Sequence, residues 1–201
     1  MSNPRCEIRL SGSGGQGIIL AGIILAEAAV LDGRNVVQTQ SYGPEARGGA
    51  SKAEVIISAG EIDYPKVAEP DVLLAMTQEA YNRHGDSLRK GYPLIIDSTL
   101  VQEVGQVTGP VYAIPITTLA REKLGKEMSA NMVALGVLVG LTQAVTWENL
   151  LKAALSRVPK DTADLNQKAL ELGREAAQAR LKQQGINGLA CGKESLGLVS
   201  P

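Results

Sequence analysis

Residues 7–31 read EIRLSGSGGQGIILAGIILAEAAVL, and this stretch decides the fold class. Glu7–Leu10 predicts a first strand, and Ser11–Gly17 predicts a glycine-rich turn. Ile18–Leu31 predicts a helix that ends at Asp32-Gly33, because glycine tolerates the left-handed conformation that closes many helices. A strand, a glycine turn and a helix in this order are typical of the start of an α/β domain.

The following segments continue the alternation of strands and helices. Val36–Gln40 and Lys52–Ser58 predict two strands, and their short connection favours an antiparallel pair. Asp71–Met76 and Leu94–Asp97 are continuous apolar runs, typical of strands covered on both faces. We further predict a helix over Thr77–Lys90 with Thr77 as its N-cap, a strand over Val111–Ile114, and helices over Thr117–Leu124, Ala130–Val145, Trp147–Ser156 and Asp161–Gln184.

This order of elements predicts an α/β fold, a three-layer α/β/α sandwich with a mixed, mostly parallel sheet and a helical C-terminal part. We expect residues 1–184 to form a single domain. The segment 185–201 has little hydrophobic periodicity, and we expect it to be a flexible tail or to dock on a partner.

Composition excludes several function classes. The 201 residues carry a net charge of −1 and only 3% aromatic residues, without a basic stripe, so a nucleic-acid partner is not expected. The start of the chain is too polar for a signal peptide. The apolar runs Ile18–Leu31 and Met132–Val145 fall short of the ~20 residues that cross a bilayer. We therefore expect a cytoplasmic protein without a membrane partner.

The chain offers few residues for catalysis or metal binding. Cys6 and Cys191 stand at opposite ends of the sequence, and a reducing cytosol disfavours a disulfide between them. No CxxC spacing exists to hold an iron–sulfur cluster or zinc. The single histidine, His84, lies in a polar helix, where we expect a solvated surface position. Asp97-Ser98-Thr99 at a strand end could contact a ligand or cap a turn. No catalytic residue and no metal site is predicted.

The glycine turn Gly12–Gly17 matches G-x-G-x-x-G between a strand and a helix. Backbone N–H groups at the start of the helix can face an anion there. A nicotinamide site needs a carboxylate at the end of the second strand, but Gln38–Gln40 carries none. No Gly-Lys-Ser/Thr follows the turn, which excludes a Walker-type loop. Two interpretations stay open: a phosphate site for a ligand other than a nicotinamide, or a tight turn without a ligand.

Two further motifs stand out. The loop Ser41–Gly49 contains YGPEARGG, with Glu45 and Arg47 among three glycines and a proline. Long ordered loops tend to be functional, although a solvated hairpin loop with an incidental ion pair is the alternative. Asn131 opens a helix that is apolar nearly all round over Met132–Leu141. Such a helix is either buried within the domain or part of a subunit interface.

The GSGGQG turn, the YGPEARGG loop and Asn131 with the following Ala-Leu-Gly together resemble the gamma subunit of the 2-oxoacid:ferredoxin oxidoreductase family, from about Glu7 to Gly173. These enzymes oxidatively decarboxylate 2-oxoacids to acyl-CoA and pass the electrons to ferredoxin. The sequence resembles the 2-oxoglutarate type most, and it resembles the pyruvate/2-ketoisovalerate type only slightly less.

The resemblance implies a division of labour among subunits. Thiamine diphosphate is expected in companion alpha and beta subunits, and iron–sulfur clusters in a ferredoxin-like delta subunit or domain, with none in this chain. Ferredoxin is the expected electron acceptor. Coenzyme A (CoA) is the expected cosubstrate. The resemblance makes eight residues candidates for contacts to CoA or for facing the companion subunits near the shared site: Gly12, Gly14, Gly15, Gln16, Gly17, Glu45, Arg47 and Asn131.

The isolated chain is expected to be inactive, and it could form a homodimer. Two alternatives from other classes stay open at this point. The chain could be a scaffold subunit that binds no ligand, or a stand-alone nucleotide-binding oxidoreductase. The missing carboxylate at Gln38–Gln40 argues against the second.

Overall fold

A six-stranded sheet crosses the middle of the fold in the computed structural model, which describes residues 5–42, 50–189 and 191. The strands are β1 (Arg5–Ser13), β2 (Asn35–Tyr42), β3 (Ala50–Ser58), β4 (Val72–Ala75), β5 (Leu94–Asp97) and β6 (Val111–Ile114). Their order is β2-β3-β1-β4-β5-β6. β1, β4, β5 and β6 are parallel neighbours, whereas β3 is antiparallel to both β1 and β2. The predicted mixed, mostly parallel sheet and its antiparallel pair are confirmed.

Helices cover the two faces of the sheet unequally. They are α1 (Ile18–Leu31), α2 (Gln78–His84), α3 (Ile116–Leu124), α4 (Ala130–Thr142), α5 (Trp147–Arg157) and α6 (Ala163–Gln184), with 3₁₀ turns at Gly85–Ser87, Glu127–Ser129 and Lys160–Thr162. The larger core lies between the sheet and the layer that contains α1, α3, α4, α5 and α6. A smaller core on the opposite face lies between β4, β5 and α2. The three-layer α/β/α sandwich is therefore confirmed.

The apolar helix α4 is buried within this chain. Twelve of its thirteen residues are buried. A side chain at Gly136 would overlap the carbonyl oxygen of Leu170, and one at Gly173 would overlap that of Val133. The backbones of α4 and α6 thus touch, and glycine permits this approach because it has no Cβ. The structure decides between the two interpretations of α4 in favour of burial within the domain.

The predicted helix over Thr77–Lys90 is shorter in the structure. Regular helix covers only Gln78–His84 and is followed by the 3₁₀ turn Gly85–Ser87. Glycine stabilises helix poorly, so the regular hydrogen bonding ends there. The predicted N-cap is confirmed, because the Thr77 hydroxyl oxygen accepts a hydrogen bond from the Ala80 N–H at 3.2 Å.

Cys6 on β1 and Cys191 form a disulfide, with their Cα atoms 5.3 Å apart. The expectation of unpaired cysteines, which rested on a reducing cytosol, was wrong, because the fold brings β1 and the segment after α6 within bonding distance. The Leu189 N–H donates to the Leu141 carbonyl at 2.7 Å, and this contact directs the chain from α6 back towards β1. Residues 185–189 thus pack on the domain, whereas 190 and 192–201 lie outside the described residues. The division into domain and tail stays a prediction.

No helix among the described residues is both long enough and apolar enough to cross a membrane.

Candidate ligand-binding site

The predicted turn Ser11–Gly17 begins later in the structure, because β1 continues through Ser13, and the remaining turn Gly14–Gly17 is closed by Gln16. The Gln16 Oε1 accepts a hydrogen bond from the Ser13 N–H at 2.8 Å, and the Gln16 N–H donates to the Ser13 carbonyl at 3.2 Å. A Cβ at Gly12 would lie 2.5 Å from Gln16 Oε1, so glycine leaves the space that this side chain fills. Gln16 therefore shapes the turn from within, through its side-chain oxygen.

The middle of the turn exposes backbone. Gly15 and Gly17 have φ angles of 90° and 72°, which L-residues with side chains rarely adopt. Gly14 and Gly15 are exposed, and no atom of the described residues lies within 4 Å of the position that a Gly15 Cβ would take. In the described part of the chain, no side chain caps the start of α1 at Gly17. The first N–H groups of α1 are thus available to a polar or anionic group.

Asn131 supports the turn from α4. A side chain at Gly17 would overlap the Asn131 amide, and Asn131 Nδ2 donates to the Gly17 carbonyl at 3.5 Å. Asn131 Oδ1 accepts a hydrogen bond from the Met132 N–H at 2.9 Å. The Asn131 side chain is buried. The structure thereby places Asn131 directly against the glycine turn.

A cavity of about 290 Å³ adjoins the turn, lined by Gly15, Gln16, Thr117, Glu127, Met128 and Ala130. Glu127 is the only charged residue in this set, and it is exposed. Met128 is 89% exposed beside it. The described wall of the cavity therefore offers backbone, an amide, a hydroxyl, a thioether and a carboxylate, but no cation.

Asp97 is held by contacts within the domain. Its carboxylate is fully buried at the end of β5. Asp97 Oδ2 accepts hydrogen bonds from the Thr117 N–H at 3.1 Å and from the Thr117 hydroxyl, and Oδ1 accepts one from the Thr99 N–H at 3.0 Å. Of the two interpretations from sequence, the structure supports the cap: Asp97 closes a turn and the first turn of α3.

Glu45 and Arg47 lie outside the described residues. The two residues that flank this loop, Tyr42 and Ala50, lie near the glycine turn. Ala50 of β3 pairs with Ser13 of β1, and the next residue, Ser51, pairs with Tyr42 of β2. The loop between β2 and β3 therefore begins and ends beside the glycine turn. The structure assembles Gly12, Gly14, Gly15, Gln16, Gly17 and Asn131 in one place, and the roles of all eight candidates stay predictions.

A buried charged cluster that the sequence did not reveal lies on the sheet face opposite α1. Arg9 Nε donates to Glu54 Oε1 at 2.7 Å, and Lys52 Nζ donates to the same oxygen at 2.9 Å. Burial raises the pKa of Glu54, but the hydrogen bonds from Lys52 and Arg9 outweigh it and lower that pKa. His84 lies beside this cluster, half-buried, so its expected solvated position was wrong. Burial, and then the charges of Arg9 and Lys52, lower the His84 pKa to about 4.

The sheet order argues against a dinucleotide site. In a dinucleotide-binding fold, the second strand is the parallel neighbour of the first. Here the antiparallel β3 lies between β1 and β2, and β2 is an edge strand. The glycine turn thus has the local sequence of a dinucleotide-binding fold, but the strands around it are arranged differently.

Comparisons with known proteins point to one family. Residues 7–176 match the family described as pyruvate ferredoxin/flavodoxin oxidoreductase. The 2-oxoglutarate synthase subunit KorC of Methanocaldococcus jannaschii is 49% identical over 177 residues, which cover 87% of this chain and 95% of that protein. The similarity therefore extends over nearly the full length of a separate subunit.

Solved structures share the fold. The gamma subunit of a keto/oxoacid ferredoxin oxidoreductase from Geobacter sulfurreducens has 50% sequence identity and a TM-score of 0.78, covering 87% of this chain and 99% of that one. A 2-oxoglutarate:ferredoxin oxidoreductase from Magnetococcus marinus, with 2-oxoglutarate, coenzyme A and succinyl-CoA bound, has 26% identity and a TM-score of 0.81. That match covers 89% of this chain but 32% of the longer one.

Proposed function

Because the chain belongs to the pyruvate ferredoxin/flavodoxin oxidoreductase family, we propose that it is the gamma subunit of a 2-oxoglutarate:ferredoxin oxidoreductase. The complex would oxidatively decarboxylate 2-oxoglutarate, transfer the acyl group to CoA and pass the electrons to ferredoxin. The observation that carries this proposal is the 49% identity to a 2-oxoglutarate synthase subunit over nearly its full length.

The proposed partners divide the chemistry among them. Alpha and beta subunits hold thiamine diphosphate, and a ferredoxin-like delta subunit or domain carries the iron–sulfur clusters that deliver electrons to ferredoxin. The gamma chain acts beside them in the cytoplasm and has no turnover alone. Within residues 5–42, 50–189 and 191, no group of three His, Cys, Asp or Glu side chains could hold a metal ion.

The glycine turn is the proposed contact to CoA. Exposed Gly14 and Gly15 let a ligand approach the backbone, and the uncapped start of α1 adds N–H donors. These donors fit the amide oxygens of the pantetheine arm, because Glu127 in the same cavity repels phosphate. Arg47 is proposed to meet the phosphates or a partner's carboxylate, since its loop is anchored beside the turn and guanidinium binds such groups bidentately.

The CoA contact can be tested in the reconstituted complex with Gly15→Val and Arg47→Ala. Valine is strained at the φ of 90° of Gly15, and no atom of the described residues lies within 4 Å of its Cβ position, so the substitution alters the turn without displacing a described neighbour. We expect a higher KM for CoA in both variants and unchanged subunit assembly. Gly33→Val is the matched control, because Gly33 also has a positive φ, 75°, and no atom within 4 Å of its Cβ position.

Unchanged CoA kinetics in both variants, with assembly intact, would leave the scaffold subunit as the better description. The substrate is tested separately with the wild-type complex. Turnover of 2-oxoglutarate should exceed that of pyruvate and 2-ketoisovalerate, and a preference for either of those acids would refute the proposed substrate.

A further inference from the structure

A larger cavity lies at the other end of α4, away from the glycine turn. The thirteen residues of α4 run from Ala130, beside that turn, to Thr142, a length of about 20 Å. At this end, α4, the start of α5, α6 and the segments after α1 and α6 line a partly open cavity of about 550 Å³. Pockets of roughly 300–1,000 Å³ are the usual size for small-molecule ligands. The cavity is therefore large enough for a metabolite and separate from the proposed CoA contact.

Three charged residues line this cavity: Asp32, Arg34 and Arg174. Asp32 is already engaged, since its carboxylate accepts hydrogen bonds from the Thr146 N–H at 2.7 Å, the Thr146 hydroxyl at 2.6 Å and the Asn149 amide at 2.6 Å. These donors saturate much of the acceptor capacity of one carboxylate. The negative charge in the wall is thus committed to holding the turn between α4 and α5.

The two arginines have no such direct bonds. Burial raises the pKa of Asp32, but its hydrogen bonds and the nearby charge of Arg34 outweigh it and lower that pKa, so Arg34 interacts with Asp32 only through its charge. Neither Arg34 nor Arg174 forms a salt bridge with any residue that the structure describes. The Arg34 Nε is buried and has no hydrogen-bond partner there. A buried guanidinium N–H without an acceptor costs free energy, which a bound anion would recover.

Trp147 fixes the second arginine. The Arg174 guanidinium lies 4.6 Å from the centroid of the Trp147 ring, a cation–π contact that orients its plane. The remaining polar lining consists of neutral groups, among them the amides of Gln143, Gln178 and Asn187. Such a wall donates and accepts hydrogen bonds but does not compete with an anion for the arginines.

We propose that this cavity binds a small organic anion with carboxylate or phosphate groups, held by Arg34 and Arg174. Arg34 and Arg174 supply the charge and the N–H donors, and Trp147 positions Arg174. The site is about the length of α4 away from the glycine turn, so it does not depend on the proposed CoA contact.

The experiment uses the fluorescence of the Trp147 indole to report binding. Trp147 is the only tryptophan of the chain, so selective excitation of tryptophan in the full 201-residue chain reads this cavity alone. The chain is titrated at constant ionic strength with inorganic phosphate, succinate, citrate and CoA, and with NaCl as the control for screening. We expect a saturable change of emission with at least one of the three small anions and none with NaCl.

Arg34→Gln and Arg174→Gln should weaken that binding about tenfold, the cost of losing a charged hydrogen-bond donor. Arg121→Gln is the matched control, because Arg121 is exposed on α3 and does not line the cavity. Calorimetry repeats the titrations, since Arg174→Gln also changes the light emitted by the free protein. If Arg174→Gln does not fold, Arg34→Gln decides, because the Arg34 side chain has no hydrogen bond in the described part to lose.

A response to phosphate alone, or to the carboxylates alone, identifies the anion class and supports the proposal. No saturable response to any small anion, a response to CoA alone, or equal affinity in both arginine variants would overturn it. None of these outcomes depends on turnover, so the proposal can fail while the proposed function stands.

Discussion

The disulfide between Cys6 and Cys191 gives a stability prediction whose size follows from the chain itself. The bond joins residues 185 positions apart, so it restricts nearly the whole unfolded chain. The loop-entropy relation then gives an upper value of about 5 kcal/mol, and measured disulfides typically contribute about 2–4 kcal/mol. We expect Cys191→Ser to lower the free energy of unfolding by about 2–4 kcal/mol. For a domain of this size, this corresponds to a fall in Tm of roughly 5–15 °C.

Urea unfolding of the oxidised wild type, the reduced wild type and Cys191→Ser provides the assay. Cys191 is the residue to change because it is partly exposed, whereas Cys6 is only 5% exposed and its replacement would also disturb the core. Reductant should lower the urea midpoint of the wild type to that of the variant and leave the variant unchanged. Equal midpoints for the oxidised wild type and the variant, or two titratable thiols in the untreated native chain, would refute the reasoning.

Three further predictions concern the packing, the charged cluster and the glycine turn. Gly136→Ala should destabilise the fold by about 1–3 kcal/mol in urea, because the methyl group overlaps the Leu170 carbonyl oxygen, whereas Gly105→Ala, with its nearest atom at 3.5 Å, should be nearly neutral. His84, the only histidine, should titrate by NMR near pH 4, and its protonation should cost stability as the pH falls below the ordinary value of 6.5; a midpoint near 6.5 would contradict its burial. Asn131→Ala should raise the KM for CoA without loss of assembly, since it removes the support under the glycine turn, and unchanged kinetics would limit Asn131 to packing.

Helices and strands whose ends are marked by glycine or by polar residues were predictable from the sequence. The bounds of α1 and β5 agree with the prediction, because glycines flank α1 and β5 is a short apolar run between polar segments. The antiparallel pairing of β2 and β3 followed from their short connection. The end of the glycine turn at Gly17 was predictable, since Gly15 and Gly17 have positive φ angles that other residues rarely adopt, but its start was not, because β1 continues through Ser13.

Contacts between distant segments were not predictable. The polar neighbours of His84 in α2 predicted solvent, but Arg9 and Lys52 reach it from strands that are remote in sequence. The cavity at the end of α4 joins Arg34 and Arg174, which are separated by most of the domain, and neither stands in a motif. Periodicity reports which face of an element is covered, but not which side chains of other elements cover it.

The closeness of Cys6 and Cys191 also bears on how this domain can be combined with others. With their Cα atoms 5.3 Å apart, the first strand and the last described residue lie side by side. Domains with adjacent ends can be inserted into a longer polypeptide or released from it without rearranging their core. The same architecture accordingly occurs as a separate subunit in Geobacter sulfurreducens and as about a third of a longer chain in Magnetococcus marinus. The disulfide thus fixes β1 and the segment after α6 to each other at one point of the domain.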